Sequence, residues 1–243
     1  MKDYGPETFG KLNAEDYNEL HDPGTTAETV ALIAELAGKG RVLELAIGTG
    51  RVAVPLARLG VSIEGVDASP EMIAKMREKP GGDAIPVTIG DMAELNLEGR
   101  FDFAFLIFNT LFNLTSQEDQ ARCIERTAAL LNPGGAFLIE AFVPDLTRFK
   151  DGQVIRTQQV RGDTVTFETG IHDPVSQVVN YQYERIRNGE AKLIPLPMRY
   201  AFPSEIDSMA QLAGFELETR WGGWRQEAFT AQSEMHVSLY RKK

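Results

Sequence analysis

The chain predicts a doubly wound α/β domain that carries an antiparallel β insertion and an N-terminal helical cap. Three observations lead there. From Arg41 onward, short apolar runs alternate with helical segments, the texture of a parallel sheet covered on both faces. The first of those runs ends in a glycine turn, Gly48-Thr49-Gly50, that passes straight into a helix. Residues 143–200 then break the rhythm with strand-period alternation and the hairpin dipeptide Asn188-Gly189.

Taken in order, residues 1–40 read as the helical lid. Asp22-Pro23-Gly24 breaks the chain, Thr25-Thr26-Ala27-Glu28 has the form of a capping box, and Val30, Ile33, Ala34 and Ala37 keep helical spacing up to a stop at Gly38. Strands are expected at 41–46, 62–67, 85–89, 102–108 and 136–142, with helices near 51–59, 70–78 and 116–131. Thr115 or Ser116 opens the last of these helices and Asn132-Pro133-Gly134-Gly135 closes it. In the insertion, Val165, Phe167 and Ile171 alternate with Thr164, Thr166 and Glu168, and Asp173-Pro174 reads as a turn. A helix begins at Ser204-Glu205-Ile206-Asp207 and stops at Gly214, and strands follow at 215–221 and 235–241. The core is therefore expected in two pieces, 41–142 and 201–243, split by the insertion at 143–200.

Composition excludes several classes. With 25 basic and 35 acidic residues the formal charge of the 243-residue chain is −10, which disfavours a nucleic-acid partner. The single cysteine, Cys123, rules out a disulfide framework and a zinc knuckle, and reads as helix packing. No apolar run approaches a membrane span and the first residues lack the apolar stretch of a signal peptide, so the chain reads as cytoplasmic with no membrane partner. The acid is unevenly spread: residues 1–40 and 41–142 each carry a net −5, residues 143–200 a net +1 and residues 201–243 a net −1.

The stretch Val42–Ala53 is the most informative. Gly48 and Gly50 let the backbone approach a ligand at a helix N-terminus, and Gly48-x-Gly50-x-x-Ala53 taken literally fits a dinucleotide fingerprint. Glu44 weighs against that ligand, because a carboxylate in a strand buried on both faces needs a cation or N–H donors, not a pyrophosphate. An α-ammonium group fits it, with an internal Arg or Lys as the alternative partner. Asp67 ends the second strand, where a carboxylate accepts from ribose hydroxyls or else caps the helix at Ser69-Pro70. Asp91 and Met92 end the third, suited to an adenine amino group and ring, with Asp91 as a helix cap the alternative.

This series, Glu44-x-x-x-Gly48-x-Gly50, Asp67 and Asp91-Met92, resembles the class I S-adenosylmethionine-dependent methyltransferases over Arg41–Gly135 and the terminal helix and strands. The resemblance implies a seven-stranded sheet with the last strand antiparallel and S-adenosylmethionine as cofactor. It places Glu44 at the methionine moiety, Asp67 and its neighbour Ala68 at the ribose, Asp91 and Met92 at the adenine, and Phe108 in the pocket wall, with Arg51 at the loop. Ala46 stands where many members have glycine, a mild departure.

The acceptor side follows from position. Phe108-Asn109-Thr110-Leu111-Phe112-Asn113 sits where the methyl group would emerge, which makes Asn109 a catalytic candidate and Phe112 and Asn113 acceptor contacts. An Asn/Asp-Pro-Pro-Tyr signature for planar bases in nucleic acid is absent, and no metal cluster is evident. The segment Glu15–Pro23 resembles the lead-in of small-molecule N-methyltransferases of natural-product pathways, the aminosugar and lincosamide types, whose β insertion also resembles 143–200. On that likeness Tyr17 would cover the cofactor and His21 would face the acceptor as a base near neutral pH, or else bond at a helix end. Tyr4, Arg199, Trp221 and Trp224 are further acceptor candidates, while His172 and His236 read as structural. The expected reaction is methyl transfer to a small-molecule acceptor, preferably an amine nitrogen. An O-methyltransferase, an NAD(P)-dependent oxidoreductase and a non-catalytic binding protein are the alternatives, and a homo-oligomer is compatible with all of them.

Overall fold

A computed structural model of the chain describes residues 4–15, 17–21 and 23–243. Asp16 and Asp22 of the expected lid, and residues 1–3, lie outside the described residues.

The chain opens with three helices, α1 (Thr8–Asn13), α2 (Tyr17–Leu20) and α3 (Thr26–Ala37). A βα series follows: β1 (Arg41–Leu45), α4 (Ala53–Arg58), β2 (Ser62–Asp67), α5 (Pro70–Arg77), β3 (Val87–Ile89), β4 (Phe101–Leu106), α6 (Gln117–Leu130) and β5 (Leu131–Phe142). The insertion contributes β6 (Gln153–Arg161), β7 (Thr164–Asp173), β8 (Val178–Arg187) and β9 (Glu190–Arg199). The chain then returns through α7 (Pro203–Leu212), β10 (Phe215–Trp221) and β11 (Met235–Lys242).

The main sheet has seven strands in the order β10-β11-β5-β4-β1-β2-β3, parallel except that β11 runs antiparallel to both its neighbours. The expected seven-stranded sheet with an antiparallel last strand is therefore present. Alternation along each strand builds two core layers. Leu43, Ala104, Leu106 and Phe137 face one layer, and Val42, Phe103, Phe105 and Leu138 face the other. That is why these strands read as continuous apolar runs: both faces are covered.

Local chemistry sets most boundaries. Ser69 caps α5 by accepting from the Met72 N–H, with Pro70 in its first turn, and Ser116 caps α6 by accepting from the Asp119 N–H. Asn188 and Gly189 both take positive φ, 52° and 83°, as a tight two-residue hairpin between β8 and β9 requires. Two expectations are corrected. The capping box of α3 does not form: Thr25 makes no side-chain cap, and Glu28 instead pairs with Arg225 at 2.7 Å. Asn132–Gly135 does not separate α6 from a strand starting at 136, since β5 begins at Leu131, which pairs with Phe101 across an irregular step in the ladder.

The insertion is a separate antiparallel sheet, β6-β7-β8-β9. Its last strand is tied back to the core by Arg199, which donates to Glu205 of α7 at 2.6 Å and to the buried Gln120 of α6 at 2.7 Å. At the other end of the chain α1 seats closely on the start of α5. A Cβ at Gly10 would fall 2.4 Å from Ser69 Cβ, so only glycine permits this approach. Asn18 of α2 accepts from the Thr49 hydroxyl at 2.7 Å, which fastens the N-terminal segment to the glycine turn. Among the described residues no helix is long and apolar enough to cross a membrane.

Candidate active site

The strand order reverses between β1 and β4, and the crevice at the C-terminal ends of these strands is where ligands bind in open α/β sheets. Here the backbone bends sharply: Ala46, Gly48 and Gly50 all take positive φ, at 53°, 56° and 68°. Ala46 holds this conformation without being glycine, which costs about 1 kcal/mol. The turn is stapled by Asp67, whose carboxylate accepts from the Gly48 N–H at 2.7 Å and the Ser69 N–H at 2.8 Å. Asp67 thus makes the helix-start contact that was the alternative for it and also faces the crevice.

Glu44 lies behind this wall, 3% exposed. One side of its carboxylate accepts from the Ala53 N–H, while Oε2 has no hydrogen-bond partner. No ion pair with Arg or Lys satisfies it among the described residues, although Arg51 acts on it through space. Burial pushes its carboxyl well above the usual carboxylate range, partly offset by Arg51 and increased by Asp67.

A second buried acid sits nearby. The Glu140 carboxylate of β5 accepts from the Phe108 N–H and, desolvated, is pushed up to about 7. Phe108 and Asn109 both have φ of 61°, and the Asn109 Oδ1 accepts from the Phe142 N–H at 2.6 Å. Two side chains thus hold a left-handed turn of non-glycine residues at the end of β4. Arg51 Cζ lies 5.2 Å from the Phe108 ring centroid, and its Nη1 donates to Thr26.

A cavity of about 480 Å³ spans this crevice and the underside of the insertion. Its β-strand end is lined by Ala46, Gly48, Asp67, Ala68, Asp91 and Met92. Tyr4, Tyr17 and His21 from the N-terminal segment and Phe108, Asn109 and Asn113 from the turn after β4 complete that half. Phe9, Tyr17 and His21 form a ring cluster, with the Tyr17 and His21 centroids 5.0 Å apart. Burial raises the Tyr4 and Tyr17 phenols to about 12, so both are neutral donors. Burial, aided by Arg185, lowers His21 to about 4, and its Nε2 has no partner. The near-neutral base expected at His21 is therefore not what its surroundings produce: the ring is uncharged and a weak base.

Several sequence candidates lie elsewhere. Phe112 is fully buried with its ring 4.8 Å from Phe142, beneath the cavity and not in its wall. Arg199 is engaged with Glu205 and Gln120 as an anchor. Trp221 and Trp224 pack with the core layer that contains Ile33 and Val42. Gly50 lies under the loop, where a Cβ would meet Met76 at 2.5 Å, and Arg51 backs Phe108. His172 stacks on Phe149 and meets the Tyr200 hydroxyl at 3.0 Å, and His236 is buried against Ser238. No group of three or more His, Cys, Asp or Glu side chains is placed to hold a metal ion among the described residues.

Comparison with known proteins agrees with this geometry. Residues 42–135 match the family described as methyltransferase domain. The solved CcbJ methyltransferase from Streptomyces caelestis is 37% identical, covers 98% of this chain and 99% of its own, and superposes with a TM-score of 0.93. The chain belongs to the S-adenosylmethionine-dependent methyltransferases. Two curated relatives of this methyltransferase are the cypemycin N-terminal methyltransferase of a Streptomyces species and an aminosugar enzyme. The first is 28% identical over 83% of each chain. The second, the dTDP-3-amino-3,6-dideoxy-alpha-D-glucopyranose N,N-dimethyltransferase of Streptomyces fradiae, is 31% identical over 58% of this chain and 54% of its own.

The structure also brings forward residues that sequence reasoning does not single out. Glu140 carries the same signal as Glu44, an acid inside the apolar strand Ala136–Phe142. Phe9, Arg148, Arg156, Glu168, Tyr181 and Tyr183 line the cavity from the N-terminal segment and the insertion. Only Tyr181 and Tyr183, two apart on one strand face, leave a local trace.

Proposed function

We propose that this methyltransferase acts on an amine nitrogen of a small-molecule acceptor held between the Phe108–Asn109 turn and the insertion sheet. The observation that carries this reading is the state of His21, the imidazole in the cavity wall, which burial holds at about 4. A hydroxyl acceptor needs a base that takes its proton during transfer, and so depressed an imidazole does this poorly. A neutral amine already presents its lone pair and needs only to be aimed. The names of the cypemycin and aminosugar relatives, both N-methyltransferases, support the same class.

The residues fit the cofactor chemically. The unpartnered Oε2 of Glu44 suits the α-ammonium group, Asp67 the ribose hydroxyls, and Asp91 with Met92 the adenine. Bound S-adenosylmethionine supplies an electrophilic methyl group on a sulfonium. The chain's contribution is orientation, which is worth up to about 7–11 kcal/mol, and exclusion of water by the Phe9–Tyr17–His21 cluster, whose rings also favour a nearby cation. The unpartnered His21 Nε2 would accept from the acceptor N–H, while Asn109, whose Oδ1 is taken by the Phe142 N–H, offers its amide NH2 as a donor.

Incubation with ¹³C-methyl donor and a panel of amines, including an aminosugar and a free peptide N-terminus, tests the reading. NMR is expected to show the label on nitrogen, and label on oxygen overturns it. His21→Ala is expected to lower kcat by about tenfold with S-adenosylhomocysteine affinity within about twofold. Wild-type kcat/KM should show no inflection from His21 between about pH 6 and 8.

A further inference from the structure

The cavity has two electrical ends. Asp67 and Asp91 line its β-strand end, with Glu44 buried behind them. Under the insertion the charged lining residues are Arg148, Arg156 and Glu168, and Asp119 at the rim is paired with Arg122. Arg185 lines an adjoining cavity of about 220 Å³ that shares His21, Gln158 and Tyr183 with the first.

Glu168 is 3% exposed and its oxygens are filled. Arg156 Nε meets Oε1 and Nη2 meets Oε2, each at 2.9 Å, and Arg148 Nη2 also meets Oε1. A carboxylate gripped in this way has little left with which to recognise a cationic acceptor. The arginines keep an excess: two positive charges face one negative, and one of Arg148's donor groups is used while its guanidinium lies over the Phe149 and Tyr181 rings. Tyr181 and Tyr183, held protonated by burial, and Gln158 add neutral donors to the same wall.

We infer that the insertion end of the cavity is an anion subsite: the acceptor carries, apart from the atom that is methylated, a carboxylate or phosphate group that docks on Arg148 and Arg156. The inference deepens the amine reading and rests on it in placing the acceptor in this cavity. The acceptor's own anion would balance the excess positive charge of the two arginines. The acidic end of the cavity remains for the cationic cofactor.

The test is direct binding to the protein saturated with S-adenosylhomocysteine, by calorimetry at an ionic strength held constant with sodium chloride. The probes are glutarate, inorganic phosphate and pyrophosphate, with glutaramide as the neutral counterpart. At least one anion is expected to bind at a single saturable site, and glutaramide is not. A preference for glutarate assigns a carboxylate, and a preference for phosphate or pyrophosphate a phosphoryl group. Arg148→Gln leaves the two-point Arg156–Glu168 pair intact and is expected to weaken the anion by at least about tenfold, with Arg148→Lys intermediate. Unchanged melting temperature and S-adenosylhomocysteine affinity show that the variants are folded. No saturable anion binding to the wild type, or equal binding by wild type and both variants, overturns the subsite. Failure of the amine reading would instead show as label on oxygen, with anion binding intact.

Discussion

Glu44, Asp67 and Glu140 are three carboxylates buried at the two turns that flank the crevice, and burial pushes all three upward. Each therefore favours its protonated form in the folded chain, and its ionisation opposes folding. For Glu140, lifted from 4.5 to about 7, both states are protonated below about pH 4.5 and there is no contribution. Between the two values the unfolded chain ionises first and stability falls, and above about pH 7 the loss is complete at about 3 kcal/mol. Glu140→Gln keeps an oxygen for the Phe108 N–H and is expected to raise the unfolding free energy near pH 8 by about 2–3 kcal/mol. Near pH 4 no gain is expected; urea denaturation at the two pH values checks both. Glu44 makes a second prediction. A ligand ammonium meeting its orphaned oxygen would stabilise the carboxylate, so S-adenosylhomocysteine binding at mildly acid pH should release a proton. Calorimetry in two buffers of different ionisation enthalpy reads this, and a buffer-independent heat contradicts the pairing. At this scale the sequence speaks through misfits. Glu44 is legible because an acid stands in a strand that must be buried, whereas the depressed His21 is not, because its surroundings come from residues far away in the chain.

Elements were legible where a local pattern is sufficient to specify them. Ser69-Pro70 and Ser116 start helices through their own side chains, and Asn188-Gly189 closes a hairpin through its own φ angles. The capping box of α3 was not, because Glu28 has a stronger partner in Arg225, 197 positions away. Arg199 illustrates the same point. From sequence it is an acceptor candidate at the end of the insertion, but in the structure it fastens β9 to α6 and α7. Arg199→Met should leave the buried Gln120 Oε1 without its donor and Glu205 with only the Gln117 and Gln177 amides, and lower stability by about 3 kcal/mol. The effect is measured by urea denaturation, and a change below about 0.5 kcal/mol would show that the anchor is dispensable.

At the scale of the molecule, the cavity is assembled from three parts of the chain: the N-terminal segment, the strand ends of the core and the insertion. A ligand filling it should therefore act on all three. S-adenosylhomocysteine at about a hundred times its dissociation constant should stabilise the fold by about 2.7 kcal/mol. Hydrogen exchange should slow in residues 4–21 as well as at the glycine turn, and protection confined to the core would show that the N-terminal segment does not close over the cofactor. The sequence by itself marked the alternating βα core and the acids Glu44, Asp67 and Asp91 at its strand ends, because a carboxylate stands out in or beside an apolar strand, and the resemblance those residues carry implied the seven-stranded sheet. Only the tertiary structure decided the insertion end of the cavity. Arg148, Arg156, Glu168, Tyr181 and Tyr183 reach the Phe108–Asn109 turn because a separate sheet folds over it, and no local pattern encodes that docking. It decided the ionisation of the site as well, since a side chain's charge depends on how much water its neighbours remove.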